Sequence, residues 1–174
     1  MNGREVVLAT LLFAATVFST AAQPQEARFP LAESAAREYM TAFLQSDIPV
    51  AASLTHPDTL ERMRAQLLKG LSGSVTPADL NLSLSLDEIR GLSAEELYIA
   101  FVEADRNRTP AATAAMRDAR AEVISSREAP DGGVIVQLRL LTPSGNDGTY
   151  VQVAELLVRS SENGWKVVGD DTQR

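Results

Sequence analysis

The chain has 174 residues, 45% of them apolar and 22% charged, which is enough for one domain with a core of its own. Its formal net charge of −7, with scattered basic residues that are nearly all arginine (Lys69 and Lys166 are the two lysines), argues against nucleic acid or an anionic membrane as partners, since both recognise clustered cations. There is no cysteine, which excludes disulfides, thiolate nucleophiles, cysteine-bound zinc and iron–sulfur clusters, so the fold must be stable on packing alone.

Arg4 lies in a short polar start and is followed by Val6 to Phe18, thirteen residues without a charge. Small residues at Ser19–Ala22 and a polar break from Gln23 complete the three-part layout of a secretory signal. The apolar run falls short of the roughly 20 residues that span a bilayer, so the expectation is cleavage after Ala21 or Ala22, with an uncleaved anchor as the alternative. No cysteine is present for lipid attachment. The predicted layout is a signal peptide over 1–22, a linker over 23–29 and one α+β domain over 30–174. Export to the periplasm or medium of a bacterium follows, and the alanine- and arginine-rich composition suits a GC-rich bacterial gene.

Pro30 suits a first helical position. Ala32, Ala35, Ala36, Tyr39, Met40, Phe43 and Leu44 then form an unbroken amphipathic stripe, ending at Gln45–Asp47. A short helix is predicted from Ile48 to Leu54. Another opens at Pro57, with Asp58 and Glu61 as a capping pair and Leu60, Met63 and Leu67 as its buried stripe. Gly70 to Ser74 reads as a break. Residues 76–91 are ambiguous: Leu80, Leu82, Leu84 and Leu86 alternate as in a strand, yet Ser85 with Glu88 has the form of a capping box. The preferred reading is a brief extended piece followed by helical turns. Ser93 with Glu96 is a second box, opening a helix to about Arg106, and Thr109-Pro110 opens a shorter one to about Asp118.

The period then changes from helical to alternating. Arg120 to Arg127 reads as a strand, Pro130–Gly133 as a turn, and Val134 to Leu141 as a second strand with Val134, Val136, Leu138 and Leu140 on one face. After a loop at Ser144–Gly148, Tyr150 to Arg159 is a third strand. Asn163-Gly164 marks a hairpin, and Trp165 to Val168 closes the chain's regular structure. Helices first and an antiparallel meander afterwards give α+β, with helices packed on the sheet.

This order resembles the nuclear transport factor 2-like superfamily. The resemblance is carried by AAREYMTAFLQSD with a second helix close behind, by VIVQLRLL and TYVQVAELLV, and by the closing ENGWKVVGDD. It implies helices over the concave face of a curved antiparallel sheet, with a concavity between them. Enzymes of that superfamily place a carboxylate, often with Tyr or His, inside an apolar cone. Transferred to this chain, the pocket candidates are Tyr39, Tyr98, Tyr150 and Glu155. Glu155 shares its strand face with Val151, Val153 and Leu157, where a carboxylate either works through a raised pKa or pairs with an arginine such as Arg139.

Other residues have plainer readings. His56, the single histidine, precedes Pro57 at a helix start and reads as a cap, so a histidine-rich metal site is excluded. Asp170-Asp171 reads as a solvated tail, and Arg106 and Arg108 as complements to the dipole of their own helix. Asn81-Leu82-Ser83 and Asn107-Arg108-Thr109 match the glycosylation triplet, which matters only in a eukaryotic secretory path. There is no nucleophile elbow, phosphate-binding glycine loop, zinc-protease helix or dinucleotide fingerprint.

The reading is a non-catalytic exported domain that binds an apolar small molecule or a protein partner, with no catalytic residue, metal or cofactor assigned and no membrane association once the signal is removed. A homodimer stays open. The alternatives are an isomerase, dehydratase or cyclase with a buried carboxylate, and a membrane-tethered assembly module.

Overall fold

The structure is a computed structural model that describes residues 29–73, 75–144 and 148–169. The expected signal peptide, nearly all of the linker and the Asp170-Asp171 pair lie outside the described residues. Helix α1 (Pro30–Gln45) begins the fold, followed by α2 (Ile48–Ser53), α3 (Pro57–Leu71), a 3₁₀ turn (Ala78–Leu80), α4 (Leu86–Gly91), α5 (Ala94–Arg108) and α6 (Pro110–Arg117). Strands β1 (Arg120–Glu128), β2 (Val134–Ser144), β3 (Gly148–Ser161) and β4 (Gly164–Gly169) form one antiparallel sheet in the order β1-β2-β3-β4. The chain is therefore α+β, as its pattern of periods dictates.

Local chemistry explains most boundaries. In both capping boxes the serine accepts from the amide three residues on while the glutamate accepts from the serine amide, at Ser85/Glu88 and Ser93/Glu96. This resolves the ambiguous segment: the leucine alternation is a 3₁₀ turn and an extended link running into α4. His56 caps α3, as its place before Pro57 suggests, its Nδ1 accepting from the Asp58 amide at 3.3 Å, while the expected Asp58–Glu61 pair does not form the cap. Thr109 makes no side-chain cap to α6. Strands β2 and β3 run further than the alternation indicated, because Thr142↔Tyr150, Pro143↔Thr149 and Ser144↔Gly148 continue their register.

The main core is α1 on the inner face of the sheet. Val134, Val136, Leu138 and Leu140 of β2 and Ala154, Leu156 and Val158 of β3 meet Ala32, Ala35, Ala36, Met40 and Leu44. Ala32 and Ala36 are fully buried, so α1 lies close on the strands with no long side chains holding it away. Trp165, half-buried, packs against this core with Tyr39 and Phe29. A second core joins α3, α4 and α5 through Leu71, Leu82, Ile89 and Leu97, and a third joins α2, α3 and α5 through Ile48, Ala52, Leu60 and Tyr98.

The two halves are tied at the sheet edge. Thr55 forms a parallel bridge with Val167; the His56 amide donates to the Val167 carbonyl at 2.7 Å, and the Val167 amide to the Leu54 carbonyl at 2.8 Å. The Thr59 hydroxyl adds a bond to the Val168 carbonyl at 2.8 Å.

Candidate functional site

Two of the four pocket candidates meet. Tyr39 lies on the inward stripe of α1 and stacks on Phe43 one turn later, the ring centroids 6.2 Å apart. Tyr98 lies on the first turn of α5, whose start is fixed by the Ser93/Glu96 box. The two phenol oxygens are 3.5 Å apart. Tyr98 also interacts with Thr55, whose own hydroxyl donates to the Ala51 carbonyl at 2.9 Å.

Arg106 borders this pair. Its guanidinium carbon sits 4.4 Å above the Phe43 ring, Nη1 donates to Ser46 Oγ at 2.7 Å and Nη2 donates to the Phe43 carbonyl. Its Nε is buried without a hydrogen-bond partner. Partial burial lowers the arginine's pKa from its ordinary value, opposed by the nearby Tyr98. Sequence reasoning gave Arg106 to the dipole of its own helix. Arg106 does lie in the last turn of α5, and it also closes the C-terminus of α1, where Ser46 takes the left-handed conformation at φ 65°. Arg108 likewise donates to the Asp79 carbonyl of the 3₁₀ turn. The signal was in the spacing: Tyr98, Val102 and Arg106 recur every four residues on α5, so a face that buries the tyrosine brings the arginine to the same neighbour.

Burial, reinforced by Tyr98, pushes the Tyr39 phenol well above its ordinary value. Burial also raises Tyr98, against the lowering influence of its hydrogen bonds and of Arg106. Both phenols are therefore neutral donors at physiological pH. Phenols of this kind can stabilise an oxyanion, but isomerase chemistry also needs a carboxylate base. Among the described residues no carboxylate hydrogen-bonds either hydroxyl.

The other two candidates lie elsewhere. Tyr150 is 60% exposed, near the free end of the β2–β3 hairpin. Glu155 shares a face with Val151, Val153 and Leu157, but that face is the outer one, since Ala154, Leu156 and Val158 point into the core. Its ion pair is with Arg127 at 3.6 Å, not with Arg139. Arg139 pairs instead with Glu122 at 2.9 Å, directly opposite it in the register, and Glu155 is reached across β2 by Arg127 of β1. His56 holds its cap with the Asp58 carboxylate 3.8 Å away.

No family profile, curated protein or solved structure matches the chain.

Among the described residues no group of three or more His, Asp or Glu side chains is placed to hold a metal ion, and no helix is long and apolar enough to cross a membrane. An open groove of about 320 Å³ runs along the outer side of α1 and the start of α2, lined by Arg37, Glu38, Thr41, Gln45, Asp47 and Val50. Charged and amide side chains rim it, its lining surface is mostly apolar, and it lies on the opposite side of α1 from Tyr39. The large exposed apolar side chains of the sheet are Tyr150 and Val151, neighbours on β3.

Proposed function

We propose that the chain is a non-catalytic exported domain whose ligand is a protein, held at the β3 edge around Tyr150 and Val151. The observation that carries this reading is a stretch of β3 that pairs with β2 alone. β4 pairs with β3 over Leu157 to Ser161, and from Gly148 to Leu156 no described residue hydrogen-bonds the other side of the strand. Such an edge offers main-chain donors and acceptors to an added strand, and Tyr150 and Val151 offer apolar area beside them. An apolar small molecule is the weaker ligand, because α1 lies directly on the inner face where a concavity was expected. The enzyme alternative would need a base at the two phenols, and among the described residues no carboxylate hydrogen-bonds either hydroxyl. Resemblance to the nuclear transport factor 2-like superfamily enters this proposal on element order alone, and export on the apolar run and small residues before Gln23.

A photo-crosslinking amino acid at position 150, introduced in the exporting cell, tests the reading. The expected result is a discrete polypeptide adduct that is lost in Val151→Lys. No adduct, together with loss of the cellular role in Tyr39→Phe/Tyr98→Phe, would overturn it in favour of chemistry at the tyrosines.

A further inference from the structure

The structure assigns α6 the part of a strap: it opens as one unit while both layers stay folded, and its opening uncovers the end of the main core between α1 and β2. Of the six α-helices described, α6 is the one with neither a side-chain cap nor a buried residue. Helices α2 and α4 are shorter, at six residues each, yet Asp47 and Ser85 cap them and Ile48 and Ile89 anchor them. In α6 seven of the eight residues are exposed and Thr113 is half-buried. Such a length does not hold a helix in water, where isolated helices become stable only near about 12–15 residues. The alanines of α6 supply propensity, and the Thr113 hydroxyl ties it to the Arg106 carbonyl at 3.1 Å. Arg117, its one charge, lies within electrostatic reach of Arg106 and repels it.

The flanks of α6, by contrast, are fixed. Arg106 holds the end of α1 through Ser46 and the Phe43 carbonyl, and Arg108 donates to the Asp79 carbonyl. On the other side Ala119 belongs to the main core, and Arg120 enters the sheet register opposite Leu141. A weakly held segment between two anchored ends unfolds locally, because its opening exposes little apolar area and frees neither layer. Helix α6 lies against α1, α5 and β2, so it spans the two walls of the main core at the end where β1 starts. The described chain begins at the other end of α1, where Glu33 accepts from Ser126 near the close of β1, and it ends on β4 at the opposite edge of the sheet.

Hydrogen exchange and thiol labelling of the full chain, recovered as the cell processes it, test the strap. In the wild type the amides of Thr113 to Arg117 are expected to exchange at least about a hundredfold faster than those of the buried β2 residues, at a rate that low urea leaves unchanged, because little surface is exposed on opening. The absence of cysteine gives a second readout. A thiol reagent should modify Ala119→Cys, at the foot of α6, by the same urea-independent route, and Ala154→Cys, buried in β3, only through global unfolding. Adding Ala114→Gly to Ala119→Cys should speed its labelling about four- to fivefold, the factor that a helical glycine costs, with the rate still insensitive to urea. Exchange of α6 in step with β2, or labelling at position 119 that rises with urea as steeply as labelling at 154, overturns the strap. If the cysteine variants do not fold, exchange in the wild type decides alone.

Discussion

The hydroxyl of Tyr98 lies 3.5 Å from that of Tyr39, a residue fifty-nine positions earlier, and the two form a polar contact between α5 and α1. Neither phenol can ionise in place without placing a charge in a buried site. In the unfolded chain tyrosine titrates near about 10. Because both folded values are raised, the stability they carry is complete below that pH and is lost as pH rises toward the folded values. Tyr39→Phe/Tyr98→Phe should therefore flatten the alkaline fall in stability between about pH 10 and 12, measured by urea midpoints relative to those at pH 7. An identical fall in wild type and variant would show that the pair ionises freely.

Arg106 joins the end of α1 to α5 through Ser46, the Phe43 carbonyl and the Phe43 ring. Arg106→Met leaves the α1 carbonyl without its charged donor and should cost about 1.5–3 kcal/mol in denaturant unfolding. Arg106→Lys should recover little of this, since one ammonium cannot lie flat on the ring and reach both oxygens. Full recovery by lysine would mean that only the charge matters.

The capping boxes make a prediction at the acid end. Hydrogen bonds from Ser85 lower the Glu88 pKa below its ordinary 4.5, and those from Ser93 do the same for Glu96. A lowered folded value means that this stability is present above about pH 4.5 and fades as pH falls through the folded values. Ser93→Ala should cost about 1 kcal/mol at pH 7. The gap between wild type and variant should narrow as pH falls below about 4.5 through the lowered folded value and the glutamate takes up its proton. A gap independent of pH would assign the effect to the bond from the Glu96 amide to Ser93 Oγ alone.

Gly133 is buried at the entry to β2. A Cβ there would stand 2.9 Å from Leu157 Cδ1 and 3.0 Å from the Val158 carbonyl oxygen. Gly133→Ala should cost about 1–3 kcal/mol by overpacking, whereas Gly70→Ala, which meets nothing within 4 Å, should be neutral or stabilising in the same thermal melts. Equal melting temperatures for the two would show that β2 and β3 separate freely at that point.

Trp165 packs against the main core while keeping part of its surface in water. Trp165→Ala should cost about 3 kcal/mol, the lower end of the range for large core aromatics. Wild-type emission should be blue-shifted from that of free indole. An unchanged urea midpoint would place the ring outside the core.

The elements were legible where one local rule acted without competition. The stripe on α1, the serine–glutamate boxes and the alternation of β2 each specify a period or an end by themselves. Gly133 was legible as a turn residue, but its close approach to Val158 belongs to a partner strand that the segment does not name. The outward face of Glu155 was hidden for a related reason. Strand β3 is apolar on both sides, with Val151, Val153 and Leu157 outside and Ala154, Leu156 and Val158 inside, so alternation alone cannot say which side is covered. Tyr39 and Tyr98 could be named but not paired, since their meeting depends on how α5 crosses α1. Arg106 was read from its own helix end because the carbonyl it reaches lies sixty-three residues away.

The bridge between Thr55 and Val167 joins positions more than a hundred residues apart. Most other main-chain pairing forms close to home: α4 and α5 start on their own capping boxes, and each strand pairs with the next. Closing that one clasp requires the whole intervening chain to be collected first, so it carries the loop entropy that the hairpins avoid. Docking of the helical layer on the meander is thus the step that carries this loop entropy. Refolding rates should accordingly fall in a variant such as Thr55→Ala only if the clasp is already made at the barrier.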